Sequence, residues 1–253
     1  MPLQTIDDVI NALTIIVENC EQTKTRSGYF AALYKRMTIA VKEGIAAGAF
    51  TDGNRMEKLD VTFASRYLDA YAAYNKNEAC STSWKYALDG CMNNSLTVIQ
   101  QLILGVNTHI NLDLAIASAA TAQGDSIHKL EADFNRINEV IASLFDDVQQ
   151  CLEDVWFPMK FLKRVGKTQQ TDVLNFSIGA ARKAAWASAV ILAGMNEMQQ
   201  QAYIKQMDNT VYQIAQKVIN PGFLAGTLMW FIRKTEYDDI SRTIHLIDTT
   251  VVK

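Results

Sequence analysis

Apolar residues along this chain recur at spacings of three and four, the period of an α-helix. Ile6, Val9, Ile10, Leu13, Ile16 and Val17 form the first such stripe, with Thr5 as N-cap. Asp7 and Asp8 fall in the first turn, where carboxylates complement the helix dipole. A second helix is expected from about Ser27 to Ala47, ending near Gly48. The turn TDGN leads to a third, about Arg55 to Asn75, with Leu59, Phe63, Tyr67, Tyr71 and Tyr74 on one side. A fourth starts near Trp84, breaks around Gly90 to Asn94, and resumes at Ser95 to reach about Thr121. QGDS then turns the chain, with Asp125 or Ser126 capping a helix to about Asp147. Thr171 to Gln200 reads as one long apolar helix, and another extends to Asn220. Pro221 and Gly222 interrupt the pattern before FLAGTLMWFIRK and YDDISRTIHLIDT. The expectation is one all-α domain over residues 1–253, a bundle of roughly eight helices around a central buried helix.

NTHINLDL, Asn107 to Leu114, departs from that rhythm by alternating polar and apolar residues. Its flanks, SLTVIQQLILG and AIASAATA, are helical and hold no turn signal, so a continuous helix is expected here too. Alternate residues then step by about 200° around the axis. Asn107 and Asn111 stack on one side, and His109 and Asp113 on nearly the opposite side. Such a helix has no face suited to bulk water, and its polar pairs need partners inside the protein. Gly105, one turn before His109, leaves room on the same face.

This stretch, as NTHINLDLAIA, together with FASRYLDAY at 63–71 and a Trp followed by QQLILG, resembles a bacterial family of all-helical proteins of unknown function. The resemblance covers most of the chain and rests on the N-x-H-x-N-x-D-L core. It implies that Asn107, His109, Asn111 and Asp113 share a site, and it implies no activity.

His109 and Asp113, one turn apart, can hydrogen-bond each other or ligate one metal ion. If the helix after QGDS returns antiparallel, Asp133, Asn135, Asn138 and Glu139 are the candidate partners; His128 is too near the turn to reach His109. A divalent zinc, iron or manganese ion held by His109, Asp113, Asp133 and Glu139 is one reading. Metal-free acid–base catalysis by His109 and Asp113 is a second, and a buried pair that only fixes packing is a third. Arg66 and Tyr67 join the catalytic candidates, Arg66 as a clamp on an anionic or carbonyl oxygen, with Asp60 as a weaker addition. The plainer reading pairs Arg66 with Asp69 and leaves Tyr67 in the core. Asn107, Asn111 and Asn138 are candidate substrate-binding groups. RKAAW, Arg182 to Trp186, is expected to pack on an exposed face rather than form a cation–π wall.

Other motifs fail. VGKT at 165–168 lacks the P-loop glycine, Phe161 standing in its place. No Glu-x-x-His occurs, against a di-iron bundle. FDDVQQ at 145–150 is a defective form of the aspartate-rich motif of isoprenoid synthases, and YDDIS at 237–241 has the wrong spacing for its companion. A cyclase or synthase of that kind remains a weaker alternative.

A net charge of −3 gives no reason to expect nucleic acid, and the basic cluster Lys160, Lys163, Arg164 and Lys167 has no aromatic platform. The N-terminus lacks the basic start and apolar block of a signal peptide. No apolar run reaches the roughly 18 residues of a membrane span. Cys20, Cys80, Cys91 and Cys151 form no C-x-x-C pair and read as reduced thiols of a cytoplasmic protein. The expected function is an enzyme acting on a small, largely apolar molecule between helices. The alternative is a helical ligand-binding or interaction protein with a buried polar network.

Overall fold

The computed structural model describes residues 3–137, 178–236 and 238–249; among them there are ten α-helices with both ends described, a further helical segment at 131–137, and no strand. The first three are α1 (Ile6–Thr23), α2 (Gly28–Ala46) and α3 (Gly53–Asn75). Then come α4 (Thr82–Cys91), α5 (Val98–Thr108) and α6 (Leu114–Thr121). After residues 138–177 follow α7 (Ile178–Ala193), α8 (Glu197–Ile219), α9 (Phe223–Thr235) and α10 (Ile240–Thr249).

Local chemistry sets the ends. Thr5 starts α1 with a reciprocal capping box to Asp8, and Thr97 does the same for α5 with Gln100. Asp52 and Ser81 cap α3 and α4 through their side chains. Lys24, in the left-handed region at φ 54°, ends α1.

α5 and α6 form one helical stretch, Val98–Thr121, joined by a π-helical turn at His109–Asp113. At 24 residues it is long and apolar enough, by length and composition, to cross a bilayer, but 72% of its most apolar window is buried inside the protein. It is the central helix that the sequence predicts, with α2, α3, α4, α7 and α8 packed around it. Two apolar clusters meet along it. One joins Met56, Leu59, Leu112 and Leu114 to Phe134, Ala185 and Leu192. The other joins Leu13, Phe30, Tyr34, Tyr67, Trp84 and Leu104.

Three boundaries differ from expectation. Gly124–Leu130 forms 3-10 turns instead of an α-helix, and neither Asp125 nor Ser126 caps them; the N-cap position is Gln123, with no side-chain bond. The long helix expected over 171–200 breaks at Gly194–Asn196, where Asn196 opens α8 with a capping box to Gln199. The apolar period alone conceals that break, because both sides are apolar. The turn at 109–113 is wider than the α-helix expected there, with the Leu114 N–H reaching the carbonyl of His109 five residues back.

Candidate functional site

The π turn carries the most connected polar group in the interior. Asp113, fully buried, accepts from Arg66 Nε on Oδ1 at 2.9 Å and from Trp84 Nε1 on Oδ2 at 2.7 Å. His109 Nδ1 lies 3.1 Å from the same Oδ2. A carboxylate can only accept, so Nδ1 carries the proton and Nε2 of the neutral ring presents its lone pair. Burial lowers the His109 pKa; the bond to Asp113 and its charge pull the other way, Arg66 adds to the lowering, and the net direction is down. His109 is therefore a neutral, oriented imidazole at pH 7.

The ring is held by aromatic neighbours. Phe63 stacks on it at 3.6 Å between centroids, nearly parallel, and Tyr34 meets it edge-on at 4.4 Å. Nε2 is buried and has no hydrogen-bond partner among the described residues. A buried polar atom left without a partner is costly, which makes it a functional pointer.

Beside it is a cavity of about 90 Å³ whose walls are helical stripes from three elements. α2 supplies Phe30, Leu33, Tyr34, Met37, Thr38 and Val41; α3 supplies Met56, Leu59, Asp60 and Phe63. The central helix adds Val106, His109, Ile110 and Leu114, with Ile137 and Arg182 completing the lining. The walls are overwhelmingly apolar, yet Tyr34 Oη, Asp60 Oδ2, His109 Nε2 and Arg182 Nε are all buried without a partner among the described residues. Burial, with the charge of Glu57 adding to it, raises the Asp60 pKa to about 7. Burial also raises the Tyr34 pKa well above its ordinary value, and the charges of Asp60 and Asp113 add to this. Near neutrality Tyr34 is a donor and Asp60 can be one.

The other sequence candidates are placed as follows. Arg66 binds Asp113 rather than Asp69, and its outer side borders an open polar groove of about 450 Å³ with Asp69 and Lys76. Tyr67 is fully buried against Phe30 and Trp84 and does not line the cavity. Asn107 donates to the Val211 carbonyl of α8 at 3.0 Å and accepts from Asn111 at 3.0 Å, so this pair ties the central helix to α8, away from the cavity. Asp133 is not beside His109. It accepts from the backbone N–H of Thr51 at 2.6 Å and of Asp52 at 3.1 Å, and pairs with Arg55 at 2.9 Å, anchoring the start of α3. Burial pushes its pKa up, but the bonds from Thr51 and Arg55 outweigh this and hold it low. The 3-10 turns explain the misplacement, since they advance and rotate the chain differently from the α-helix assumed in counting back from QGDS. Asn135 is exposed, and Asn138 and Glu139 lie outside the described residues. So do FDDVQQ, VGKT, Cys151 and the basic cluster at 160–167.

Gly105 does not leave open space: a Cβ there would stand 2.5 Å from Phe30 Cδ2, so the phenyl ring fills the notch. Arg182 overturns the exposed-face expectation for RKAAW. It is 3% exposed, lies 4.5 Å over the Phe134 ring, and donates from Nη2 to the Phe134 carbonyl at 2.7 Å.

A metal fits this donor set poorly. Both Asp113 oxygens and His109 Nδ1 are engaged, and among the described residues no group of three His, Cys, Asp or Glu side chains could hold an ion. Sequence reasoning missed Trp84 and Tyr34, and set Arg182 on an exposed face. Tyr34 and Asp60 carried a readable signal, as polar breaks in the apolar stripes of α2 and α3. Trp84 and Arg182 carried none, because their partners are distant in sequence.

No curated protein and no solved structure matches the chain significantly. A family model does, over residues 6–221, taking in both the central helix and the walls of the cavity. The chain belongs to the family of unknown function DUF5995.

Proposed function

We propose that the protein is an enzyme that moves a proton on a small, largely apolar molecule bound in the cavity, with His109 as a metal-free general base. The observation that carries this is the unpartnered Nε2 of His109, whose ring is neutral and fixed through Nδ1 by Asp113. An oriented imidazole with a free lone pair in a low-dielectric cavity meets the geometric requirement for a base. Asp113 positions the ring and stabilises the imidazolium formed when Nε2 takes a proton. Its own charge is balanced by Arg66 and the Trp84 indole.

The electron pair left on the substrate needs an acceptor. Tyr34 and protonated Asp60, in the same cavity, are the groups available to donate to an oxygen that gains charge. The step balances as an enolisation. A C–H proton passes to His109 Nε2, its electrons move onto a carbonyl oxygen held by Tyr34 or Asp60, and the proton returns to carbon or oxygen. A non-catalytic binding protein would use the same walls without this step.

Exchange of the C–H protons of butanone for deuterium in D2O, followed by proton NMR, distinguishes the two. The folded protein is expected to speed exchange, and His109→Gln to slow it by at least about 100-fold, the usual worth of a positioned base. Exchange no faster than in buffer, or unaffected by His109→Gln, would overturn the catalytic reading.

A further inference from the structure

The cavity wall contains an arginine whose charge no carboxylate among the described residues balances. Arg182, from α7, is 3% exposed; it touches the Phe134 ring and carbonyl, and Nε has no partner among the described residues. Burying a guanidinium without an anion is expensive, and such a charge persists where a ligand supplies the anion. Its setting is otherwise apolar, with Met56, Leu59, Leu114 and Ile137 among the neighbouring walls.

Arg182 is also separated from the chemistry. The charges that act on Asp60 and His109 come from Glu57, Asp113 and Arg66, and Arg182 is not among them. Phe134, on which Arg182 lies, belongs to the Met56–Leu114 cluster, whereas His109 packs against Phe30, Tyr34 and Tyr67 of the other. The cavity therefore has a cationic end at Arg182 and a proton-transfer end at His109, with apolar walls between them.

We infer that the ligand of this cavity is a small oxo-monocarboxylic acid whose carboxylate pairs with Arg182 and whose carbonyl-bearing chain runs toward His109. The inference rests on the acid–base reading only for the carbonyl and for which end reacts; the carboxylate site stands on Arg182 alone. A guanidinium fork matches a carboxylate in shape as well as charge, and in a low-dielectric wall the pair discriminates strongly against a neutral amide or alcohol. Size restricts the chain. A cavity of about 90 Å³ is smaller than the roughly 150 Å³ that accommodates the six carbons of benzene, which limits the chain beyond the carboxylate to about three or four heavy atoms.

Calorimetric titration at pH 7.5 with butanoate, butanamide and butan-1-ol tests this. Butanoate is expected to bind at least about tenfold more tightly than either neutral analogue. Arg182→Met is expected to abolish that preference, and Arg182→Lys, which keeps the charge but loses the fork, to retain part of it. Equal affinities for the three probes in the unmodified protein, no binding of butanoate at concentrations to about 10 mM, or a preference that survives Arg182→Met would each overturn the proposal. If Arg182→Met fails to fold, the butanoate–butanamide comparison in the unmodified protein and in Arg182→Lys still decides. His109→Gln separates the two readings. A butanoate preference without proton exchange on butanone sinks the catalytic reading alone, and exchange without the preference sinks the carboxylate site alone.

Discussion

Trp84 and His109 share one acceptor: the indole Nε1 and the imidazole Nδ1 both reach Oδ2 of Asp113, at 2.7 and 3.1 Å. The two rings compete for the same negative charge. Trp84→Phe removes one donor, leaves the aromatic packing largely intact, and concentrates that charge on His109. The His109 pKa is expected to rise relative to the unmodified protein, and stability to fall by about 1–3 kcal/mol. Titration of the imidazole by NMR and urea denaturation check the two arms; an unchanged His109 titration would show that the indole does not tune the ring.

Asp113→Asn should cost more. It deprives Arg66 and His109 of a charged acceptor in a fully buried position. A loss of about 3 kcal/mol is expected, the low end for breaking a buried pair, because the Arg66 side chain is 34% exposed and can turn to water. A denaturant midpoint within error of the parent would contradict the central role of Asp113 in holding the helices together.

Asp60 makes a pH-dependent prediction with a definite sign. Its carboxyl loses its proton near 3.8 when unfolded and at about 7 when folded, because it is buried. Between those values the native state holds a proton that the unfolded state has lost, so stability falls as pH rises through that window. At about 1.4 kcal/mol per unit the penalty above pH 7 is on the order of 4 kcal/mol. Asp60→Asn removes the dependence and should stabilise the protein at pH 8 relative to pH 5. His109 acts in the opposite direction: its lowered pKa leaves its contribution intact above 6.5 and removes it as pH falls below that value. The difference between the Asp60→Asn and parent curves isolates the carboxyl, and parallel curves would refute the assignment.

Gly105→Ala is expected to destabilise by about 1–3 kcal/mol through overpacking, since the new methyl meets Phe30 inside contact distance. Phe30 lies 5.7 Å from the His109 ring between centroids, so displacement of the phenyl should also alter the imidazole environment. A melting temperature equal to that of the parent, with an unshifted His109 signal, would show that Phe30 yields freely.

The helices were legible because apolar spacing and caps are local: Thr5, Asp52 and Ser81 announce their helix starts by residue type alone. The pairing of His109 with Asp113, and of Asn107 with Asn111, was legible for the same reason, each pair lying one turn apart. What faces them was not. Trp84 reaches Asp113 across 29 positions and Arg182 reaches Phe134 across 48, and no local pattern encodes such contacts. Asp133 was misplaced because its neighbour was inferred by counting along an assumed α-helix, and the 3-10 turns at Gly124–Leu130 void that count.

The π turn at His109–Asp113 has a consequence for how this helix can change by insertion or loss. A single such turn amounts to one extra residue within an otherwise regular helix. It offsets the phase of Leu114–Thr121 against Val98–Thr108, so the stripes that pack on α7 and on α8 are timed separately. Deleting one residue from 109–113 would restore regular winding while leaving Leu114–Thr121 in the orientation that packs on α7, whereas deleting one from the regular helix on either side would rotate every later side chain by about 100°. In a relative that lacks the bulge, a one-position gap should fall inside this pentapeptide, with the apolar pattern downstream unchanged.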